Sequence, residues 1–497
     1  MVHEHFDVLV VGAGLSGIGA GYHLQANCPN KSYAILESAD AIGGTWDLFR
    51  YPGIRSDSDM FTLGYAFRPW EEAKVIADGP AILKYVRDTA TEAGIDKKIR
   101  FGHRVVQASW SSADAKWTVE SQRKNPATGN FESVSLTCNF LFMCSGYFDH
   151  AQGYTPEFPG LERFGGRLVH PQKWTEDIDY SGKRVVIIGS GATAVTLLPE
   201  LAKKAAHVTM LQRSPTYMVS RPSVDPKADF LRRVLPSKLA YAINRWWRVL
   251  FTMYIFSVCR RKPEVAKKAI FGELQKEMGP DYDLTKHFTP RYNPWEQRLC
   301  LVPDADLFNA LKSGQASIAT DTIETFTETG INLSSGAHLP ADLVVSATGL
   351  NLVVLGGIEV VVDGKLMDMS KTTGYKGMMY SGVPNLASAF GYTNASWTLK
   401  VDLICDYVCR LLKHMDSSGT RQCMPHLNDP TVLPEPWVDF SSGYFQRALD
   451  RFPKQGSKRP WKLYQNYPLD ILSLKFGSEK PLRANKNLLA AQPIQIR

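Results

Sequence analysis

Residues 6–17 read FDVLVVGAGLSG. The apolar, largely β-branched run shows no alternation, which suits a strand buried on both faces of a parallel sheet. Gly12, Gly14 and Gly17 follow it with the GxGxxG spacing of a strand-to-helix turn. The first glycine permits the tight turn, the second lets a pyrophosphate approach the backbone, and the third allows close helix packing. The helix start behind them offers unpaired N–H groups and a favourable dipole to phosphate. Glu37 ends the next strand about 20 residues further on, where a carboxylate accepts ribose hydroxyls. The glycine motif alone is weak; with both strands and the acid in place it predicts a dinucleotide site.

The same texture recurs downstream. RVVIIG, starting at Arg184, runs into Gly189, Gly191 and Ala194, a GxGxxA motif that also holds Thr193. The following strand, HVTMLQRS at 207–214, ends in Arg213 and not in an acid. A guanidinium there suits the 2′-phosphate of NADPH, whereas Asp or Glu would favour NADH. A third buried run, 342–346, leads into Ala347, Thr348 and Gly349, and Gly349 is expected to contact a cofactor. Gly43, Gly44, Thr45 and Trp46 follow Glu37 closely; such a glycine pair lets backbone approach a flat cofactor, with a plain turn as the alternative. This order predicts FAD in the first fold and NADPH in the second.

The fold class expected is therefore α/β, with two Rossmann-like dinucleotide-binding domains and a helical insertion. The expected segments are 1–150 and 346–497 for the FAD-binding domain, the latter with a C-terminal segment. The NADPH-binding domain takes 151–221 and 298–345, and the helical insertion 222–297. That insertion is rich in Lys, Arg, Trp and Leu at helical spacing. Residues 239–259 are apolar nearly all round, which predicts a buried helix. The nearby Arg245, Arg248, Arg260 and Arg261 keep an interfacial helix, and hence a peripheral membrane contact, open as the alternative.

Composition narrows the remaining classes. At 497 residues the chain is too long for one compact core. Hydrophobic content of 44% and charged content of 21% argue against disorder or a fibrous protein. A net charge of +8 suits anionic cofactors, nucleic acid or an anionic membrane surface. No RNA-binding signature or zinc-finger spacing is present, so no nucleic-acid partner is expected. The eight cysteines, Cys28, Cys138, Cys144, Cys259, Cys300, Cys405, Cys409 and Cys423, are scattered singly. That excludes a disulfide scaffold, and the lack of a CxxC or CxxxxC pair counts against a disulfide reductase. Cys405 and Cys409, one helical turn apart in an apolar stretch, read as buried free thiols. No metal site is expected. The N-terminus has no basic leader and its apolar run is one strand long, while 249–259 is too short to span a bilayer; a cytoplasmic enzyme is expected.

Several longer stretches resemble the Baeyer–Villiger monooxygenases, class B flavoprotein monooxygenases, and most resemble the ethionamide-activating branch. They are GGTWDLFRYPGIRSDSD at 43–59, FGGRLVHPQKW at 164–174, GSGATAV at 189–195, YNPWEQRLCLVP at 292–303 and GYTNASWTLK at 391–400. Phe164, Gly166, His170 and Trp174 match the family fingerprint F-x-G-x-x-x-H-x-x-x-W. The sequence departs from its commonest form at Pro171 and Thr175. The resemblance implies that NADPH reduces FAD, that a C4a-peroxyflavin forms with O2, and that it inserts one oxygen beside a ketone carbonyl to give an ester or lactone. Members of this branch are also associated with oxygen transfer to sulfur, so the implied partners are a small-molecule ketone or sulfide and O2. Arg298 matches the catalytic arginine, and Asp57 the carboxylate that holds it. His170 is read as coupling domain positions. Gln297 stands where some relatives carry a lysine for the NADPH phosphate, which leaves more of that contact to Arg213. Trp46, Asn394 and Trp397 fall in segments that border flavin and pocket in relatives. The competing readings are an N- or S-oxygenating flavin-containing monooxygenase, an NADPH oxidase, and a non-catalytic flavoprotein.

Overall fold

A computed structural model describes residues 4–125, 128–297, 299–476 and 494–496. The first glycine motif lies at the end of strand His5–Val11, which forms part of a nine-stranded sheet. On one side it pairs in parallel with Tyr33–Leu36, which in turn pairs with Ile99–Arg100. On the other side lies Phe131–Met143, whose far edge is joined in parallel by Leu386–Ser388. Val8, Leu9 and Val10 are fully buried, as an unbroken apolar run covered on both faces requires. Helices Leu15–Asn27 and Trp397–Ser418 pack together on one face. Antiparallel strands His103–Ser111 and Lys116–Lys124 extend the sheet beyond Phe131–Met143.

The second glycine motif belongs to a separate, all-parallel sheet of five strands. Their order is Ala316–Thr320, His207–Gln212, Arg184–Ile188, Leu343–Ser346, Arg167–Val169. Helix Ala192–Ala202 leaves the motif and packs against Asp306–Lys312. Two strands join the sheets: Phe148–Gly153 leads out of the first, and Leu350–Leu352 leads back as its antiparallel neighbour. All eight cysteines are buried and free, with Cys405 and Cys409 inside helix Trp397–Ser418.

Residues 222–297 form four helices, Pro226–Val234, Ser237–Arg261, Pro263–Met278 and Leu284–Phe288. The longest corrects an expectation. Instead of being buried all round, Ser237–Arg261 turns Tyr241, Asn244, Arg245 and Val249 inward and leaves Leu239, Ile243, Trp246, Trp247, Leu250 and Tyr254 exposed. The inward side is thus the more polar one. Arg245 explains why: its Nη1 donates to the carbonyls of Phe61 and Gly64, each at 2.8 Å, and its Nη2 faces Asp402 Oδ2 at 3.5 Å. It supplies a donor to Phe61 O inside the short helix Met60–Leu63 and to Gly64 O just past its end. Removing one partner of such a buried charged cluster costs about 3–5 kcal/mol, so it fixes the helix's rotation.

Candidate active site

The first cluster is built almost wholly from backbone. Gly17 touches the start of its own turn so closely that a Cβ there would stand 1.8 Å from the Gly12 carbonyl oxygen. A side chain is excluded, and helix and strand meet at their closest approach. Gly43 N donates to Ala13 O at 3.2 Å, and a Cβ on Gly14 would lie 3.5 Å from Gly44 Cα. The two glycine turns therefore form one side-chain-free cradle. Thr45 opens the short helix Thr45–Leu48, and Trp46 is half-buried against the first core. Helix Leu15–Asn27 has no side-chain cap, so its first amides face the cradle without a protein side-chain acceptor. Buried Glu37 accepts from Ala13 N at 2.6 Å and from Ala39 N at 2.8 Å. It thus holds the turn in place, a role its spacing did not reveal. Trp397 joins the cluster, donating from Nε1 to Ser16 Oγ at 2.8 Å.

The second cluster has the same form. Gly189 adopts φ +135°, and a Cβ would meet Ala347 O at 2.4 Å, so the third buried strand ends against this turn. Beside Gly191 nothing lies within 4 Å of a Cβ, and helix Ala192–Ala202 also lacks a side-chain cap. Ala194 is buried against the sheet while Thr193 is half-exposed. Arg213 stands exposed immediately beyond His207–Gln212. An open, uncapped helix start with a guanidinium at the next strand end fits an anionic dinucleotide carrying a further phosphate.

Gly349 and His170 meet where the chain crosses between sheets. The Gly349 carbonyl accepts from Tyr154 N at 3.1 Å and pairs with His170 Nε2 at 3.0 Å, while Gln172 N donates to His170 Nδ1 at 3.2 Å. With Nδ1 accepting, Nε2 carries the hydrogen and the ring is neutral. Burial holds its pKa below the ordinary imidazole value. Trp174 is buried in the second core, and Phe164 packs edge-on against Phe326 at 5.6 Å. His170 thus lies at the crossing, while Phe164 and Trp174 anchor the segment within the second unit.

Three contacts between the two halves went unread in the sequence. Tyr51 lies beside Thr193, and a Cβ on Gly53 would strike Glu200 Cγ at 2.2 Å. Arg55 forms an ion pair with Asp306, 251 residues away. The stretch 43–59 signals that something is held there, but the partners come from another domain and leave no local pattern.

A cavity of about 1050 Å³ opens beside these contacts. Its walls come from 57–62, from helix Ser237–Arg261, and from residues 393–399 and 464–467, and they are mostly apolar. Asp57 is exposed at its edge, and Asp59 lies deeper; burial pushes the Asp59 carboxyl above the ordinary carboxylate range against the pull of Arg248. Asn394 lines the cavity too: its Nδ2 donates to Gln465 O at 2.9 Å, whereas its buried Oδ1 has no partner among the described residues. Gln297 is described, but Arg298 lies outside the described residues.

Comparison with known proteins places this arrangement. Residues 71–245 match the flavin-binding monooxygenase-like family, and 10–72 an NAD(P)-binding Rossmann-like domain. FAD-containing monooxygenase EthA of Mycobacterium tuberculosis is 53% identical over 475 residues, covering 95% of this chain and 96% of that one. The probable FAD-binding monooxygenase AlmA of Acinetobacter baylyi is 49% identical over 481 residues, covering 95% and 94%. The chain belongs to the FAD-containing monooxygenases. Among solved structures, this FAD-containing monooxygenase resembles a steroid monooxygenase bound to NADP, with a TM-score of 0.69 at 24% identity over 84% of this chain and 87% of that one. An open cyclohexanone monooxygenase gives 0.68 at 21%, covering 84% and 89%. Both share the fold of two dinucleotide-binding units that the monooxygenase shows here.

Proposed function

We propose that this monooxygenase uses NADPH and O2 to insert one oxygen atom beside a ketone carbonyl, releasing an ester or lactone. The observation that carries the reading is the pairing of two side-chain-free glycine cradles, one at the end of a buried strand in each sheet, with a large apolar cavity edged by Asp57. The chemistry supplied by bound FAD is acceptance of a hydride from NADPH and activation of O2.

Each protein group then has a physical task. Gly12, Gly14 and Gly17 admit the FAD diphosphate to the amides of the first helix, and Glu37 takes ribose hydroxyls on lone pairs left after bonding Ala13 and Ala39. Gly44, Thr45 and Trp46 flank the flat ring. Gly189, Gly191, Thr193 and Ala194 do for NADPH what the first cradle does for FAD, and Arg213 takes the 2′-phosphate. Gly349, through His170, holds the crossing that sets one unit against the other. Asp57 holds Arg298, whose charge stabilises negative charge developing on oxygen. A guanidinium suits this because it stays protonated when partly buried, and the apolar walls strengthen its field by excluding water.

Arg213 gives a direct check. Arg213→Gln removes a charge-assisted contact of about 1.5–3 kcal/mol, so KM for NADPH should rise about 10- to 100-fold while KM for NADH changes little. Steady-state kinetics with both coenzymes measure it; an unchanged NADPH-to-NADH preference assigns the phosphate to another residue. The reaction itself is tested with a ketone panel under 18O2. One labelled oxygen in the ester and one NADPH consumed per ester are expected. Sulfoxide from a sulfide probe without ester from any ketone would favour the S-oxygenating reading, and hydrogen peroxide alone would favour an oxidase.

A further inference from the structure

The outward face of helix Ser237–Arg261 has no role in the reaction proposed above. Leu239, Ile243, Trp246, Trp247, Leu250 and Tyr254 follow one another by three or four residues, apart from the adjacent tryptophans, and so share one face. They form a stripe about 22 Å long. Trp247 is 61% exposed, Leu250 54% and Tyr254 65%. On the preceding helix Phe230 and Val234 are exposed as well. Isolated exposed apolar residues need no explanation, but a continuous row of this length marks an interaction face.

The charges around the stripe select its partner. Helix Ser237–Arg261 contains no acidic residue. Arg233 and Lys238 are exposed at one end of the stripe, Arg261 and Lys262 at the other. The chain as a whole carries +8. An apolar face with two tryptophans and a tyrosine, bracketed by cations, matches the chemistry of a bilayer surface with anionic headgroups. The inverted amphipathicity agrees, because Arg245 pins the polar side inward and leaves the apolar side to meet a second apolar phase. Trp247, on this face, and the neighbouring exposed Phe251 also line the cavity, so the apolar face adjoins it.

We infer that this helix is a docking face that seats the protein on an anionic lipid surface, lying in the interface without crossing it. No helix among the described residues is long and apolar enough to cross a membrane. A lipophilic substrate would then reach the cavity from the acyl region along the helix flank.

Vesicle co-sedimentation of the full-length holoprotein tests this. Phosphatidylcholine vesicles are compared with vesicles containing phosphatidylglycerol, at low and high salt. Binding should be stronger to the anionic vesicles and should weaken with salt. The variant L239S/I243S/L250S alters only exposed residues outside the cavity wall, so its flavin absorbance and melting temperature should match the parent. Its vesicle binding should fall at least about tenfold. Absence of parent binding, or equal binding by the variant, overturns the inference. So does a dimer seen by analytical ultracentrifugation that the variant abolishes while neither protein binds vesicles; the face would then belong to a second copy of the chain.

Discussion

Gly17→Ala is expected to yield protein without flavin. The new methyl carbon would sit 1.8 Å from the Gly12 oxygen and 2.9 Å from its carbonyl carbon, both backbone atoms with no side chain to swing away. Relief requires the turn to open, which pulls Ala13 N off Glu37 and separates Gly14 from Gly44. Overpacking costs about 1–3 kcal/mol, occasionally more, and here the strain falls on the cradle itself. The ratio of flavin to protein absorbance after purification should drop below about one tenth of the parent's. Full flavin occupancy would show that this turn is not the FAD site. Gly189→Ala supplies the contrast: its clash is with Ala347, just past a strand of the second sheet, so flavin should stay while reduction by NADPH is lost. Gly272 lies inside helix Pro263–Met278 with nothing within 4 Å of a Cβ. Its change to Ala should be neutral or stabilise by about 0.5–1 kcal/mol.

Arg298→Ala should abolish ester formation while flavin content and reduction by NADPH remain. Deleting one preorganised group that meets developing charge costs about 10²–10³-fold in kcat. Arg298→Lys should recover part of that rate, because it keeps the charge but loses the planar fork. Asp57→Ala should lower the rate less than Arg298→Ala, since it frees the arginine without discharging it. Product analysis beside anaerobic flavin bleaching separates the two half-reactions. Ester formed by Arg298→Ala at the parent rate would remove the residue from the mechanism.

The parallel cores were legible because burial on both faces leaves an unmistakable composition. Phe6–Val11 and Arg184–Ile188 need no partner to be recognised as strands, and the glycines behind them are dictated by local sterics. Cys405 and Cys409 were legible for a similar reason, one helical turn apart in an apolar stretch. The rotation of helix Ser237–Arg261 was not. Its composition shows little difference between faces until Arg245 finds carbonyls at 61 and 64 and a carboxylate at 402. Tyr51 with Thr193 and Arg55 with Asp306 escaped likewise, since neither residue type is unusual and only tertiary placement makes a pair. Glu37 was recognised by position, but its bond to Ala13 depends on turn geometry that spacing does not encode. For Asp57 the sequence resemblance goes further than the geometry, because Arg298 falls outside the described residues.

The two strands that cross between the sheets have a mechanical consequence. Phe148–Gly153 and Leu350–Leu352 are antiparallel neighbours, so both connections lie along one line, as hinge plates share a pin. Sliding the halves past each other would break backbone hydrogen bonds, whereas swinging about the pin strains few. The Arg55–Asp306 pair and the Tyr51 contact join the halves in addition to these strands. Rotation about this line would change the separation of the two glycine turns, and His170, bonded to the Gly349 carbonyl, lies next to it.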